Sequence, residues 1–68
     1  MRIELNGAPA ELAPDARVAD VLALAGVDAD ARGVAVAVNG EVVRRSEWHE
    51  VALADGASVE VVQAVQGG

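Results

Sequence analysis

The chain has 68 residues, and its 5 Lys+Arg against 11 Asp+Glu give a formal net charge of −6 at neutral pH. A chain of this length builds one small core, which excludes a multi-step enzyme with a substrate domain of its own. The negative charge repels phosphate backbones and argues against binding to nucleic acid. Without cysteine, the chain has no disulfide framework, no thiolate nucleophile and no cysteine-ligated metal site.

The N-terminal residues predict a β-hairpin. Apolar and charged side chains alternate over residues 2–5, which indicates a half-buried strand. Asn6 and Gly7 form the dipeptide most typical of tight hairpin turns, because both residues tolerate positive φ. A returning strand is expected over residues 8–13, where Pro9 is tolerable only at a sheet edge or at the start of the strand.

A helix is predicted next, with Asp15 as its cap and Gly26 as the residue that ends it. Apolar residues recur there at helical spacing and form one stripe: Val18, Val21, Leu22 and Ala25. This stripe predicts that the helix covers one face of a sheet.

The second half of the chain predicts further strands around another Asn-Gly turn, Asn39-Gly40. Residues 34–38 are all Val or Ala, which is typical of a strand buried on both faces. The remaining predicted strand segments are 41–43, a short strand with Val51 and Leu53, and 58–65.

These elements predict an α+β fold of the β-grasp (ubiquitin-like) type, a mixed sheet of four to five strands packed on one main helix. We expect a single domain over residues 1–68, ending in a flexible Gly-Gly tail. No apolar run approaches the roughly 20 residues of a membrane span. The start lacks an apolar stretch of the signal-peptide kind, so a cytoplasmic protein without membrane contact is predicted. The Ala, Val and Arg bias suggests a GC-rich bacterial genome.

Side chains suited to catalysis or metal binding are few. His49 is the only histidine, and one histidine without further ligands predicts a solvated loop rather than a metal site. Asp28 and Asp30 form only a fragment of a calcium loop. Ser46 and Ser58 have no evident base. Trp48, the only aromatic residue, is interpreted as a core or edge anchor, with a partner contact as the alternative.

The C-terminal residues Gly67 and Gly68 suggest a different kind of chemistry. Two glycines add no packing and lose much entropy on ordering, so a frayed terminus is one reading. The other reading is a reactive terminal carboxylate on a narrow tail that threads into a partner's active site. Such a carboxylate is ionised at neutral pH and is able to attack the α-phosphate of ATP.

Several motifs resemble the ThiS family of sulfur carriers in thiamine biosynthesis. They lie along essentially the whole chain, in segments 3–7, 18–22, 36–43, 45–48, 53–56, 59–62 and 67–68. The Asn39-Gly40-Glu41 hairpin with the downstream Ser46-Glu47-Trp48 is the most specific of them. The chain departs from the family pattern at Ala64, where many relatives are aromatic, and at Arg17, where many carry Thr or Ser.

The resemblance implies a carrier rather than an enzyme. A ThiF-type adenylating enzyme would use ATP to activate the Gly68 carboxylate, while the carrier itself binds no cofactor. Sulfur from a donor such as a cysteine desulfurase persulfide would then produce a thiocarboxylate, which thiazole synthase would consume. Gly67 and Gln66 would enter the partners' active sites.

A docking surface is expected on the sheet face away from the helix, formed by Val43, Val62 and Val65. Two alternatives remain open at this point. One is the same chemistry serving molybdenum-cofactor or amino-acid sulfur transfer, because those carriers share the Gly-Gly end. The other is a β-grasp interaction module without covalent chemistry.

Overall fold

The computed structural model describes residues 1–64. In chain order, its elements are strands β1 (Arg2–Leu5) and β2 (Ala8–Glu11), helix α1 (Val18–Leu24), strands β3 (Val34–Val38) and β4 (Glu41–Val43), a 3-10 turn (Arg45–Glu47) and strand β5 (Ser58–Gln63). The strands form one five-stranded sheet in the order β2-β1-β5-β3-β4. β1 and β5 are parallel, and the other neighbours are antiparallel. The predicted β-grasp fold, a mixed sheet with one helix, is confirmed.

Both Asn-Gly dipeptides make the predicted hairpin turns. Asn6 and Asn39 have φ of 50° and 51°, and the glycines that follow each have φ of 84°. Positive φ at both central positions is the type I′ geometry, which matches the right-handed twist of the flanking strands. The two turns therefore set the registers of the β1–β2 and β3–β4 hairpins.

The helix begins later than predicted. Asp15 is not its cap, because α1 starts at Val18 and the capping position belongs to Arg17. An arginine side chain cannot accept a hydrogen bond. The carboxylate of Asp20 instead accepts the Arg17 backbone N–H at 2.7 Å, and its negative charge suits the first turn of a helix.

The end of the helix is as predicted. Gly26 has φ of 74°, and its N–H donates to the carbonyl of Ala23 at 3.1 Å. The Val27 N–H donates to the carbonyl of Leu22 at 2.9 Å. This pair of bonds is the Schellman motif, which satisfies carbonyls that the helix leaves free.

The core lies between α1 and one face of the sheet. The helix contributes Val18, Val21 and Leu22, all fully buried, and the sheet contributes Ile3, Val36, Val59 and Val61. The prediction that β3 is buried on both faces is wrong, because Ala35 is exposed. One face of the sheet is thus open, and the small alanines of β3 lie on it.

The segment before β5 is not the predicted short strand. Ala52 forms only an isolated bridge with Arg17. The Val18 N–H donates to the carbonyl of Val51 at 3.0 Å, and the Leu53 N–H donates to the carbonyl of Ala16 at 3.2 Å. These bonds tie the segment to the start of the helix and bury Leu53 in the core. Across residues 1–64, no helix has the length and apolarity needed to span a bilayer.

Candidate functional site

β5 is the central strand, and it leads directly to the C-terminal segment. It pairs with β1 on one side and with β3 on the other, the latter from Val38↔Val59 to Val34↔Gln63. Both turn asparagines bind it with their side chains. Asn6 accepts the Val61 N–H at 2.9 Å, and Asn39 accepts the Ser58 N–H at 2.9 Å. The strand that precedes the tail is therefore fixed from both sides.

Within residues 1–64, the last backbone bond of this ladder joins Ala64 to Gly33. The Ala64 N–H donates to the carbonyl of Gly33 at 2.9 Å, one residue beyond the last strand pair. Gly33 has φ of 74° and immediately precedes β3. The predicted tail residues, Gln66, Gly67 and Gly68, and the predicted docking residue Val65 lie outside the described residues.

The open face of the sheet carries an apolar patch formed by Ala35, Ala37, Val42 and Val62, called the open-face patch below. Val42 is 77% exposed and Val62 is 59% exposed. They lie on opposite sides of β3, Val42 opposite Ala37 and Val62 opposite Ala35. Glu60 also pairs with Ala37, so a carboxylate borders the patch. Isolated exposed apolar residues are ordinary, but this contiguous group is suited to contact with another protein.

The prediction for Val43 is wrong. Val43 pairs with Val36, whose side chain is buried, and residues paired across antiparallel strands point to the same face. Val43 accordingly packs against the core. The exposed valine of β4, which the sequence analysis missed, is Val42. The two-residue turn at Asn39-Gly40 pairs Val38 with Glu41, so the next pair outward is Ala37 with Val42. Paired side chains share a face, so counting from the turn would have placed Val42 beside Ala37 on the open face.

Trp48 has the structural role predicted for it. It is 2% exposed, and its indole Nε1–H donates to the carbonyl of Val43 at 3.0 Å. The guanidinium of Arg45 lies 4.6 Å from the centre of the indole ring. The same guanidinium donates to the carbonyls of Ala29 and Ala31. Arg45 thus joins the 3-10 turn to the loop that leads into Gly33 and β3.

Other candidate sites offer no catalytic arrangement. Among residues 1–64, no three His, Cys, Asp or Glu side chains cluster as metal ligands would. The Asp28 carboxylate accepts the Asp30 N–H at 2.8 Å, an ordinary loop turn. A depression of about 540 Å³ beside β4 is lined by residues that include Glu41, Glu47 and Val51, but no Ser, Thr, His or Lys lines it.

The topology and the firmly held β5 define a β-grasp protein whose central strand leads to its C-terminal segment. The family model that matches the sequence is that of the ThiS family, over residues 3–68. The match covers nearly the whole chain, and the chain belongs to the ThiS family.

Two solved structures agree with this assignment. The crystal structure of the thiamine biosynthesis protein ThiS from Geobacter metallireducens is 33% identical, with a TM-score of 0.79 and 100% of each chain covered. The solution structure of a thiamine biosynthesis protein from the same organism is 31% identical, with a TM-score of 0.79, covering 100% of this chain and 88% of that one. No curated protein matches the sequence.

Proposed function

We propose that this protein is a sulfur carrier in the formation of the thiazole of thiamine, with Gly68 as the sulfur-bearing residue. The observation that carries the proposal is the ThiS family match, which extends through Gly67 and Gly68. The shortage of side-chain chemistry supports it further. A carrier needs a fold, a docking surface and a carboxylate, and it needs no catalytic residues of its own.

The proposed chemistry begins at the carboxylate of Gly68. One carboxylate oxygen attacks the α-phosphate of ATP in the adenylating enzyme, and pyrophosphate leaves. The resulting acyl-adenylate has an activated carbonyl carbon, which the terminal sulfur of a persulfide attacks as AMP departs. A second thiol then attacks the donor sulfur and releases the thiocarboxylate, while the two thiols end as a disulfide. Thiazole synthase takes the sulfur from this thiocarboxylate. The proposed compartment for this chemistry is the cytoplasm, where ATP and a persulfide donor are both at hand.

The carrier supports this chemistry by geometry alone. Glycine at positions 67 and 68 allows a partner to close around the backbone, because no Cβ atom stands in the way. The anchored β5 limits the motion of the strand from which the tail departs. Gln66 would enter the partner's active site together with Gly67.

The open-face patch is the proposed docking surface for the adenylating enzyme. Val42 and Val62 would bury their exposed side chains on association, and burial of apolar surface is the main favourable term in protein contacts. The net charge of −6 complements a basic surface on the enzyme. Val65 stays part of the prediction and lies outside the described residues.

Intact-mass spectrometry tests the proposal directly. The protein is incubated with a ThiF-type enzyme, ATP and a persulfide donor, and the mass change of an oxygen-to-sulfur exchange is expected. A variant that lacks Gly68 is the matched control, since it keeps residues 1–67 and should acquire no sulfur. Absence of the exchange with a competent enzyme would overturn the proposal, and an interaction module would function equally well without Gly68.

The destination of the sulfur needs a separate experiment. The carrier chemistry is common to thiazole, molybdenum-cofactor and amino-acid sulfur routes, so mass change alone does not distinguish them. Expression of the gene in a strain without its own ThiS should restore growth in the absence of thiamine. Rescue of molybdoenzyme activity or of amino-acid auxotrophy, without rescue of thiamine growth, would assign the carrier to another route.

A further inference from the structure

We propose that Gly33 is a positioning residue that fixes where the C-terminal segment leaves the sheet. The inference rests on the proposed carrier function and concerns the reach of the Gly68 carboxylate. Its basis is the contact between Gly33 and Ala64. The Gly33 carbonyl accepts the Ala64 N–H at 2.9 Å, and among residues 1–64 this bond is the outermost between the β3 and β5 sides of the sheet.

Gly33 differs from the other left-handed glycines of residues 1–64. A Cβ atom added at Gly7, Gly26, Gly40 or Gly56 would meet no atom within 4 Å. A Cβ added at Gly33 would lie 3.2 Å from the Cβ of Ala64 and 3.3 Å from its carbonyl oxygen. Position 33 therefore requires glycine for two reasons, a positive φ and a close neighbour. The close neighbour is the residue that precedes the tail.

The residues between α1 and Gly33 form a loop and not a strand. They therefore offer no further pairing to the chain that follows β5. This loop is held toward the 3-10 turn by Arg45, which donates to the carbonyls of Ala29 and Ala31. Within residues 1–64, the pairing of the C-terminal strand on this side extends to Ala64. On the other side, β1 already ends at Leu5, and Asn6 makes the last contact at Val61.

The point of departure sets how far the carboxylate reaches. Four residues follow Ala64, and fully extended they span at most about 14 Å. Each further residue held in the ladder would shorten that reach by about 3.3 Å. A side chain at position 33 would instead crowd Ala64, displace it by a few tenths of an ångström and change the direction of departure. Misplacement of a reacting group by about 1 Å can lower a rate a hundredfold.

The decisive comparison is Gly33→Ala against Gly26→Ala. Both positions have φ of 74°, a conformation that is strained for alanine, but only position 33 contacts Ala64. We expect both to lose stability, and Gly33→Ala to lose more because it also crowds Ala64. Only Gly33→Ala should lose kcat/KM for adenylation, by about tenfold to a hundredfold, as expected for a displaced reacting group. Equal kcat/KM values for the two variants would overturn the proposal.

A rescue variant separates positioning from general damage. Gly33→Ala combined with Ala64→Gly removes the side-chain atom that the new Cβ would meet at 3.2 Å. Part of the lost kcat/KM should return, while the contact with the carbonyl oxygen of residue 64 at 3.3 Å and the strain at position 33 persist. A double variant no better than Gly33→Ala would contradict the proposal.

Amide exchange measured by NMR tests the contact without any partner enzyme. The Ala64 amide should be protected in the wild-type chain and in Gly26→Ala, and it should exchange freely in Gly33→Ala. If the wild-type protein is never adenylated, the proposed carrier function is wrong. If Gly33→Ala leaves the exchange rate of the Ala64 amide unchanged, the positioning role of Gly33 is wrong.

Discussion

The side-chain amide of Asn6 makes both backbone hydrogen bonds of Val61, a residue 55 positions away in the chain. Its Oδ1 accepts the Val61 N–H at 2.9 Å, and its Nδ2 donates to the Val61 carbonyl at 3.3 Å. In an antiparallel ladder, alternate residues direct their N–H and C=O groups away from the partner strand. Those of Val61 point toward β1, which has already turned at Asn6. One side chain thus replaces a missing strand residue.

This relationship predicts different effects of aspartate at the two turns. Asn6→Asp loses the amide donor and places a carboxylate oxygen against the carbonyl of Val61. We expect it to lower the free energy of unfolding by about 1–3 kcal/mol, the cost of an unsatisfied buried partner. Asn39→Asp keeps the oxygen that accepts the Ser58 N–H, so its effect should stay within about 0.5 kcal/mol.

Urea denaturation at neutral pH measures both variants, and Asp-Gly preserves the hairpin preference in each of them. The comparison controls for the added charge, because both substitutions add one negative charge at an exposed turn residue. Equal destabilisation by the two substitutions would show that charge, rather than the Val61 contact, determines the result.

A second prediction concerns Arg45. Arg45→Lys keeps the charge but loses the planar fork that reaches two carbonyls and stacks on Trp48. The expected cost is about 1–2 kcal/mol of unfolding free energy. Arg44→Lys, a neighbouring exposed site, is the control and should change stability by less than about 0.5 kcal/mol.

Trp48 itself reports the Arg45 measurement, since it is the only aromatic residue in the sequence. The buried indole should change its emission on unfolding, so urea titration of both arginine variants needs no added probe. If Arg45→Lys has wild-type stability, the two carbonyl bonds and the Trp48 contact of Arg45 make no net contribution to the free energy of unfolding.

Local patterns predicted most of the architecture. The two Asn-Gly turns, the apolar stripe of α1 and the Gly26 end depend on neighbours within a few residues of sequence. The chemistry of these signals is local as well: positive φ, a period of 3.6, and a left-handed residue after the last turn. That is why the sequence alone predicts the β-grasp arrangement.

Features that depend on distant partners could not be read in this way. The segment at Val51 bonds to the start of α1 rather than to the sheet, across more than 30 residues of sequence. The role of Gly33 depends on Ala64, 31 positions later (64 − 33 = 31), which no local pattern reveals.

Net charge gives a third prediction. A chain of charge −6 should associate with a basic partner faster at low ionic strength, because long-range attraction is screened beyond about 8 Å at 0.15 M salt. Stopped-flow measurement with the adenylating enzyme should show an association rate that falls with added salt. Glu60→Gln, beside the open-face patch, should flatten that dependence. A rate independent of salt would contradict electrostatic steering.

The open-face patch gives the last prediction, in which two valines on opposite sides of the sheet should respond in opposite ways. Val62→Asp changes a side chain that is 59% exposed, so the free energy of unfolding should change by less than about 0.5 kcal/mol. The kcat/KM for adenylation should nevertheless fall at least about tenfold, which corresponds to about 1.4 kcal/mol of lost contact.

Val43→Asp is the matched control for Val62→Asp. It places a charge where the side chain packs against the core and should cost about 2–4 kcal/mol of stability. Its remaining folded fraction should be adenylated with near wild-type kcat/KM, because Val43 does not face the proposed partner. Denaturation curves and adenylation kinetics on the same samples separate the two effects. A Val62→Asp protein with wild-type kinetics would exclude this face from docking, whichever residues the partner contacts instead.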